Sequence, residues 1–202
     1  MSELGVLMKT WISQPSWLEG FDATIMVDEV PEIMIRVHLY SSKEIQARLH
    51  YFKNANETII HNHRSDFFSH CLHGEYWHRI WGEKGPGEHF SVNRSLDPGF
   101  ERPFRSSTGL AVLGGHTYKA GDTYFIQADT PHTVCGEKAP VLTLYIKHAT
   151  IATDTIMRAK SMEEIRDFQS HQSAEDRLLE GCERSEALRR IHRLFHGPVG
   201  GW

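Results

Sequence analysis

The segment HNHRSDFFSHCLHGEYWH, residues 61–78, concentrates histidine in a way that could support metal chemistry. His61 and His63 are two positions apart, so on a β-strand their side chains would project to the same face, with Cα atoms about 6.6 Å apart. Neutral imidazole binds iron, zinc, copper and nickel, and two such ligands need a third from elsewhere in the fold. The alternative is that these are ordinary strand histidines whose ring nitrogens are satisfied by hydrogen bonds.

A second segment, GDTYFIQADTPHTVCG at residues 121–136, supplies a candidate third ligand. A Gly-Asp turn at Gly121 begins a short β-rich run, and His132 follows later in the same segment. If the fold brings the two segments together, their three histidines form a candidate metal site.

Together the two segments resemble the two sequence motifs of the cupin superfamily, at the family's spacing. The matching positions are His61, His63 and Gly74 in the first motif and Gly121 and His132 in the second. The resemblance implies an all-β fold, a cupin barrel of the double-stranded β-helix or jelly-roll type. It also implies that one divalent metal ion binds to the three histidines.

The chain departs from the cupin motifs most informatively at Phe67, which stands where the family usually has a ligand glutamate. A phenyl ring cannot bind a metal, which leaves three histidines. The neighbouring Asp66 is a less favoured fourth ligand, because strand alternation would aim it differently from Phe67. The other departures from the motifs are at Ala55, Gln127, Asp129 and Gly136.

Among cupins, a three-histidine site resembles that of the thiol dioxygenases, the group that includes cysteine dioxygenase. The resemblance implies Fe(II) as cofactor, although zinc, nickel or manganese could also bind three imidazoles. It implies that a small thiol or another chelating anion and O₂ are the substrates. Arg36, in IMIRVHLY, is similar in position to their carboxylate-binding arginine, and Tyr145, in VLTLYIK, to their active-site tyrosine.

Three further residues complete the predicted site. Phe67 would narrow the pocket and contact the substrate. Tyr76 and His78 should face inward on the following strand, where Tyr76 could contact substrate and His78 could assist catalysis. For Tyr76 and His78, the plainer interpretation is that they pack in the core. For Arg36, the plainer interpretation is a surface cation on a half-buried strand.

Two other functions remain open at this point. The ion could act as a Lewis acid in isomerase, lyase or hydrolase chemistry without O₂. Alternatively, the protein could bind a small ligand without catalysis. The thiol dioxygenase-like oxidoreductase is the preferred interpretation.

The remaining sequence predicts how these residues are positioned. Short runs rich in β-branched and aromatic residues, separated by turn signals, predict antiparallel strands across a barrel at 21–150. Apolar spacing predicts a short helical element at 1–20 and a helical tail at 151–202. Ser161 and Glu164 have the spacing of a capping box. The Gly- and Pro-rich stretch 82–107 predicts a long rim loop, an irregular outer hairpin or a substrate lid.

Composition excludes several classes of function. The chain has 202 residues, with 22 Lys and Arg scattered among 26 Asp and Glu, so no basic surface for nucleic acid is expected. No apolar run is long enough to span a bilayer and no signal peptide is evident, which predicts a cytoplasmic protein without a membrane partner. Unpaired, reduced thiols are expected at Cys71, Cys135 and Cys182. The resemblance to cupins, whose barrels often pair, also predicts a homodimer.

Overall fold

The computed structural model describes residues 25–31, 33–53, 59–94, 103–136, 140–150, 155–172 and 177–196. The helical element predicted at 1–20 lies outside these residues. The described strands are β1 (Val27–Val30), β2 (Met34–Ser41), β3 (Ile45–Phe52), β4 (Ile60–His61), β5 (Phe67–His73), β6 (Glu75–Arg94), β7 (Phe104–Lys119), β8 (Thr123–Ile126), β9 (His132–Cys135), β10 (Val141–His148), β11 (Thr155–Ala159) and β12 (Arg177–Leu178). The described helices are α1 (Met162–Gln172) and α2 (Gly181–His196).

The described strands form two antiparallel sheets. The seven-stranded sheet has the order β12-β1-β2-β3-β10-β5-β8, and the five-stranded sheet has the order β11-β4-β9-β6-β7, with a further pairing of β11 to β6. Neighbours in both sheets are often distant in sequence, as with β3 beside β10. The predicted all-β class is confirmed, and the two sheets fit a jelly-roll sandwich.

Helix α2 covers the outer face of the seven-stranded sheet. Its Ala187 and Ile191 are buried in one apolar cluster with alternate residues of the central strands. Those strand residues are Val27, Ile35, Val37, Ala47, Leu49, Leu142, Leu144 and Ile146. Because successive strand residues point to opposite faces, the residues between them face the interior between the sheets.

The turn between β5 and β6 lies at Gly74. Gly74 has φ +84°, and a Cβ there would lie 2.7 Å from the Pro140 carbonyl oxygen. A side chain would therefore be strained by both the backbone conformation and the close approach.

Most of the stretch 82–107 that the structure describes belongs to a long hairpin. Pairing between β6 and β7 runs from Glu75 opposite Lys119 to Ser91 opposite Phe104, with several register shifts. The irregular outer hairpin is thus confirmed over these residues, and the alternative of a long rim loop is wrong for them. Gly87 fits the irregularity, since a Cβ there would lie 2.8 Å from the Gly109 Cα.

The C-terminal segment contains the expected helices and two strands that the sequence did not indicate. β11 pairs with β4 and β6, and β12 pairs with β1, so this segment contributes to both sheets. The division at residues 150 and 151 stays a prediction. None of the helices in the described part of the chain is long and apolar enough to cross a membrane.

All three cysteines are unpaired thiols, which confirms the sequence prediction. Cys71 is buried, and burial raises its thiol pKa to about 11. Cys182 is exposed on α2.

The predicted capping box begins α1. The Glu164 amide donates to Ser161 Oγ at 3.2 Å, and the Glu164 carboxylate accepts from the Lys160 amide at 2.9 Å. Replacement of Ser161 by alanine should lower the free energy of unfolding by about 1 kcal/mol, because an amide at the helix start loses its acceptor. Urea denaturation would measure this loss. The matched control is Ser185→Ala at an exposed position of α2, and an equal effect of both substitutions would contradict the cap.

Candidate metal centre

The three predicted ligand histidines come together between the sheets. His61 ends β4 and lies directly opposite His132, the first residue of β9. His63 follows just beyond β4, where its amide donates to the Ala128 carbonyl at 2.8 Å. The two segments that carry the cupin-like motifs are therefore joined by backbone pairing at the site itself.

The nitrogen atoms of these rings lie close together, and one pair already has the spacing of two ligands on one ion. One ring nitrogen from each histidine lies within 4.8 Å of the others, and the Nε2 atoms of His63 and His132 are 3.2 Å apart. With metal to nitrogen bonds of about 2.1 Å, ligand nitrogens on one ion are about 3.0 to 3.4 Å apart.

Backbone carbonyls orient two of the three rings. Nδ1 of His61 lies 3.2 Å from the Ile59 carbonyl oxygen, and Nδ1 of His132 lies 3.0 Å from the Thr130 carbonyl oxygen. A carbonyl can only accept, so each Nδ1 carries the proton and each Nε2 keeps its lone pair. Metal-ligating histidines are commonly fixed in this way.

Two of the three imidazoles, those of His63 and His132, are held in the neutral form that binds metal. Burial, with smaller effects from neighbouring histidines, lowers the pKa of His63 and of His132 well below the ordinary value. In the absence of an ion, Nε2–H of a neutral His63 can donate to the Nε2 lone pair of His132 across 3.2 Å, and a cation bound to both nitrogens would take the place of that proton. The residues present therefore fit a divalent ion.

Two aromatic side chains border the histidines on the side of the seven-stranded sheet. Phe67 is buried, with its ring centroid 4.7 Å from that of His63 and 4.8 Å from that of Tyr145. The Tyr145 ring is 6.3 Å from that of His63, and burial raises the pKa of its phenol, so the hydroxyl stays protonated. The structure thus places both predicted residues beside the site.

Asp66, the less favoured fourth ligand, has a structural contact instead. Its carboxylate accepts a hydrogen bond from the Ala128 amide at 2.8 Å. The metal-type cluster found among the described residues consists of His61, His63 and His132.

His78 contacts the site from the five-stranded sheet. Its ring lies 4.8 Å from that of His132 and stacks on Tyr124 at 4.9 Å. Burial lowers its pKa to about 4, and its Nε2 has no hydrogen-bond partner among the described residues. Tyr76 lies in an apolar cluster with Cys71 and Val134, and its ring contacts those of Tyr118 and Tyr124.

Arg36 is engaged by a neighbouring carboxylate. Its guanidinium forms two hydrogen bonds to Asp28, at 2.7 and 2.9 Å, and His38 Nε2 lies 2.9 Å from the same carboxylate. Burial would raise the pKa of Asp28, but the bonds from His38 and Arg36 outweigh it and lower that pKa far below the ordinary value. The geometry that suits Arg36 to a substrate carboxylate is thus used within the protein.

Polar residues that the sequence did not single out face the interior from β3 and β10. His50 stacks on Tyr145 at 4.6 Å, and Arg48 pairs in register with Tyr145. Gln46 accepts a hydrogen bond from Arg48 and lies opposite Lys147. The alternation in QARLHYF and LTLYIK separates these polar residues from the apolar ones, but it does not show which set faces the interior.

Among known proteins, this chain shows similarity to solved structures. No protein-family model matches the chain, and no curated protein matches its sequence. An RmlC-like cupin from Shewanella frigidimarina NCIMB 400 is 16% identical with a TM-score of 0.41, over 64% of this chain and 89% of that chain. The hydroxypropylphosphonic acid epoxidase from S. wedmorenis is 13% identical with a TM-score of 0.40, over 61% and 55% of the two chains. The DMSP lyase DddQ from Ruegeria pomeroyi DSS-3 is 16% identical with a TM-score of 0.37, over 61% and 50%.

Proposed function

We propose that this protein is a metal-binding cupin that catalyses Fe(II)-dependent dioxygenation of a small thiol or another chelating anionic metabolite. The observation that carries the proposal is the convergence of three histidine side chains with a phenyl ring beside them. Three neutral ligands leave an ion with its full charge and with open positions, which favours an anionic substrate together with O₂.

The side chains around the histidines have distinct roles in this proposal. His61, His63 and His132 hold the ion, and Phe67 limits the space beside it. Tyr145 keeps its phenolic proton and would donate a hydrogen bond to a reacting oxygen or sulfur.

His78 would position the site through its contact with His132. Its unpartnered Nε2 can also accept from or donate to a bound molecule, because the ring stays neutral. Tyr76 would act only indirectly, by packing beneath Tyr124.

Iron is the preferred ion because ferrous iron supplies redox chemistry with O₂, which zinc does not. The protein's own residues bind and orient the substrate, keep the histidines neutral and keep bulk water from the interior. The buried ring faces of Phe67 and Tyr145 serve the last of these roles.

Oxygen uptake tests the proposal. The iron-loaded protein is incubated with a panel of aminothiols and mercapto acids in an oxygen electrode, and products are identified by mass spectrometry. We expect O₂ consumption with incorporation of both oxygen atoms from ¹⁸O₂ into the product. The zinc-loaded protein is the matched control and should consume none.

The other outcomes of the same experiment favour the alternatives. Turnover that persists without O₂ would support Lewis-acid chemistry, and tight binding without turnover would support a binding protein. Either result would contradict the dioxygenase.

A further inference from the structure

Lys147 lies on the interior face of β10, close to the three histidines. It is directly opposite Phe67 on β5, and directly opposite residues of antiparallel strands share a face. The Phe67 ring in turn lies 4.7 Å from that of His63. Opposed Cα atoms in such a pair are about 5 Å apart, so a side chain as long as that of lysine is able to reach the space that borders the histidines.

Burial and neighbouring positive charges make this space unfavourable for the Lys147 ammonium, which an anion would stabilise. Burial lowers the pKa of the Lys147 ammonium, and the charges of Arg48, Arg64 and Arg36 lower it further. Its own charge contributes to lowering the pKa of His63, which places the ammonium within electrostatic range of that ring.

No carboxylate forms an ion pair with Lys147 among the residues that the structure describes. The acid nearest in register is Asp66, which precedes Phe67 and whose carboxylate accepts a hydrogen bond from the Ala128 amide. A half-buried cation without a counter-ion is unfavourable, and an incoming anion would relieve this cost.

We propose that Lys147 selects the substrate of this site by holding an anionic group, such as a carboxylate, of a molecule whose donor atom lies at the three histidines. This inference rests on the proposed function and gives it a residue that the sequence resemblance did not supply. Arg36 was the expected carboxylate anchor, and Lys147 takes that role because the Arg36 guanidinium is already bound to Asp28.

A pair of thiols that differ in one charge tests the assignment. The protein is loaded with cobalt(II), whose visible spectrum reports ligand binding without turnover, and is titrated anaerobically with 3-mercaptopropionate and with 3-mercapto-1-propanol. The unmodified protein should bind the carboxylate about 10-fold or more tightly than the alcohol, the ratio expected for one charge-assisted contact.

Variants of Lys147 should change this ratio and little else. Lys147→Met should reduce the two dissociation constants to within about 3-fold of each other, whereas Lys147→Arg should keep a preference for the carboxylate. The matched control is Lys119→Met, at an exposed position on β7, and it should behave as the unmodified protein. Thermal melting confirms that each variant is folded.

The possible results separate the two proposals. Equal binding of both thiols by the unmodified protein, or a preference that survives in Lys147→Met, would overturn the role of Lys147 alone. Failure to take up cobalt, or cobalt uptake with no response to either thiol, would overturn the proposed function and the role of Lys147 together.

Discussion

Replacement of His132 by alanine is expected to abolish stoichiometric binding of iron or zinc while the protein stays folded. The outer partners of ligating histidines alone typically contribute about 10- to 100-fold to metal affinity, so loss of a ligand should cost more than about 100-fold. Metal content per chain after gel filtration would measure the loss. Folding should survive because β9 is held by backbone pairing to β4 and β6, which the substitution leaves intact.

The control for this prediction is a histidine outside the cluster. His116 is exposed on β7, and His116→Ala should retain the full metal content. Unchanged metal content in His132→Ala, or an equal loss in both variants, would show that the ion binds elsewhere. Unfolding of His132→Ala alone would be detected by circular dichroism, in which case His61→Ala gives a second measurement at the same site.

The cluster of three histidines could be predicted from the sequence because each of its two segments has a recognisable local spacing. His61 and His63 are close in the chain, and His132 lies in a recognisable turn-and-strand segment. The short strand β4 then places His61 opposite His132, so one backbone pairing is sufficient to unite both motifs. The prediction that both histidines of the first motif lie on one strand was less accurate, since β4 ends at His61.

The residues that face the interior from the larger sheet could not be predicted. Apolar strand residues usually face the interior and polar ones face solvent, but on this sheet the two sets are exchanged. Apolar residues of β3 such as Leu49 face outward, where helix α2 covers them. Polar residues such as Arg48 and His50 therefore face the interior. A reader of the strand alone assigns polar residues to solvent, and only the packing of α2, which is more than 100 residues away in the chain, changes that assignment.

Long-range packing also explains why the contact of Arg36 with Asp28 was not predicted. Its type and position resemble those of a carboxylate anchor, but the sequence does not show that Asp28 lies opposite it in register. Long-range strand pairing determines which charges meet, and it is the part of a β fold that local sequence indicates least.

The metal-free protein should lose stability steeply on mild acidification. Burial lowers the pKa values of His50, His63 and His132 well below the ordinary value, so these rings stay neutral in the folded protein. On unfolding each regains a pKa of about 6.5, and below that pH the unfolded chain binds more protons than the folded one. Stability is therefore fully present above about pH 6.5 and falls as the pH drops toward the folded pKa values.

The size of this effect is comparable with the whole stability of a typical domain. Each buried histidine lowers the free energy of unfolding by about 1.4 kcal/mol per pH unit in this window, so three give about 4 kcal/mol per unit, against a typical total of about 5 to 15 kcal/mol. His78, whose pKa is lowered to about 4, adds to the slope down to that pH. Asp28 contributes separately, since a carboxylate with a lowered pKa loses its stabilising effect only below about pH 4.

Urea denaturation of the chelator-treated protein at pH 7.5, 6.5 and 5.5 measures this slope directly. The midpoint should change little between the first two values and fall sharply by the third. His50→Gln, which keeps a polar side chain but cannot titrate, should remove about one proton from the uptake on unfolding, whereas His116→Gln at an exposed position should leave it unchanged. A midpoint that is equal at pH 7.5 and 5.5 would mean that these rings are not buried in the neutral form, and the neutral three-histidine site would lose its physical basis.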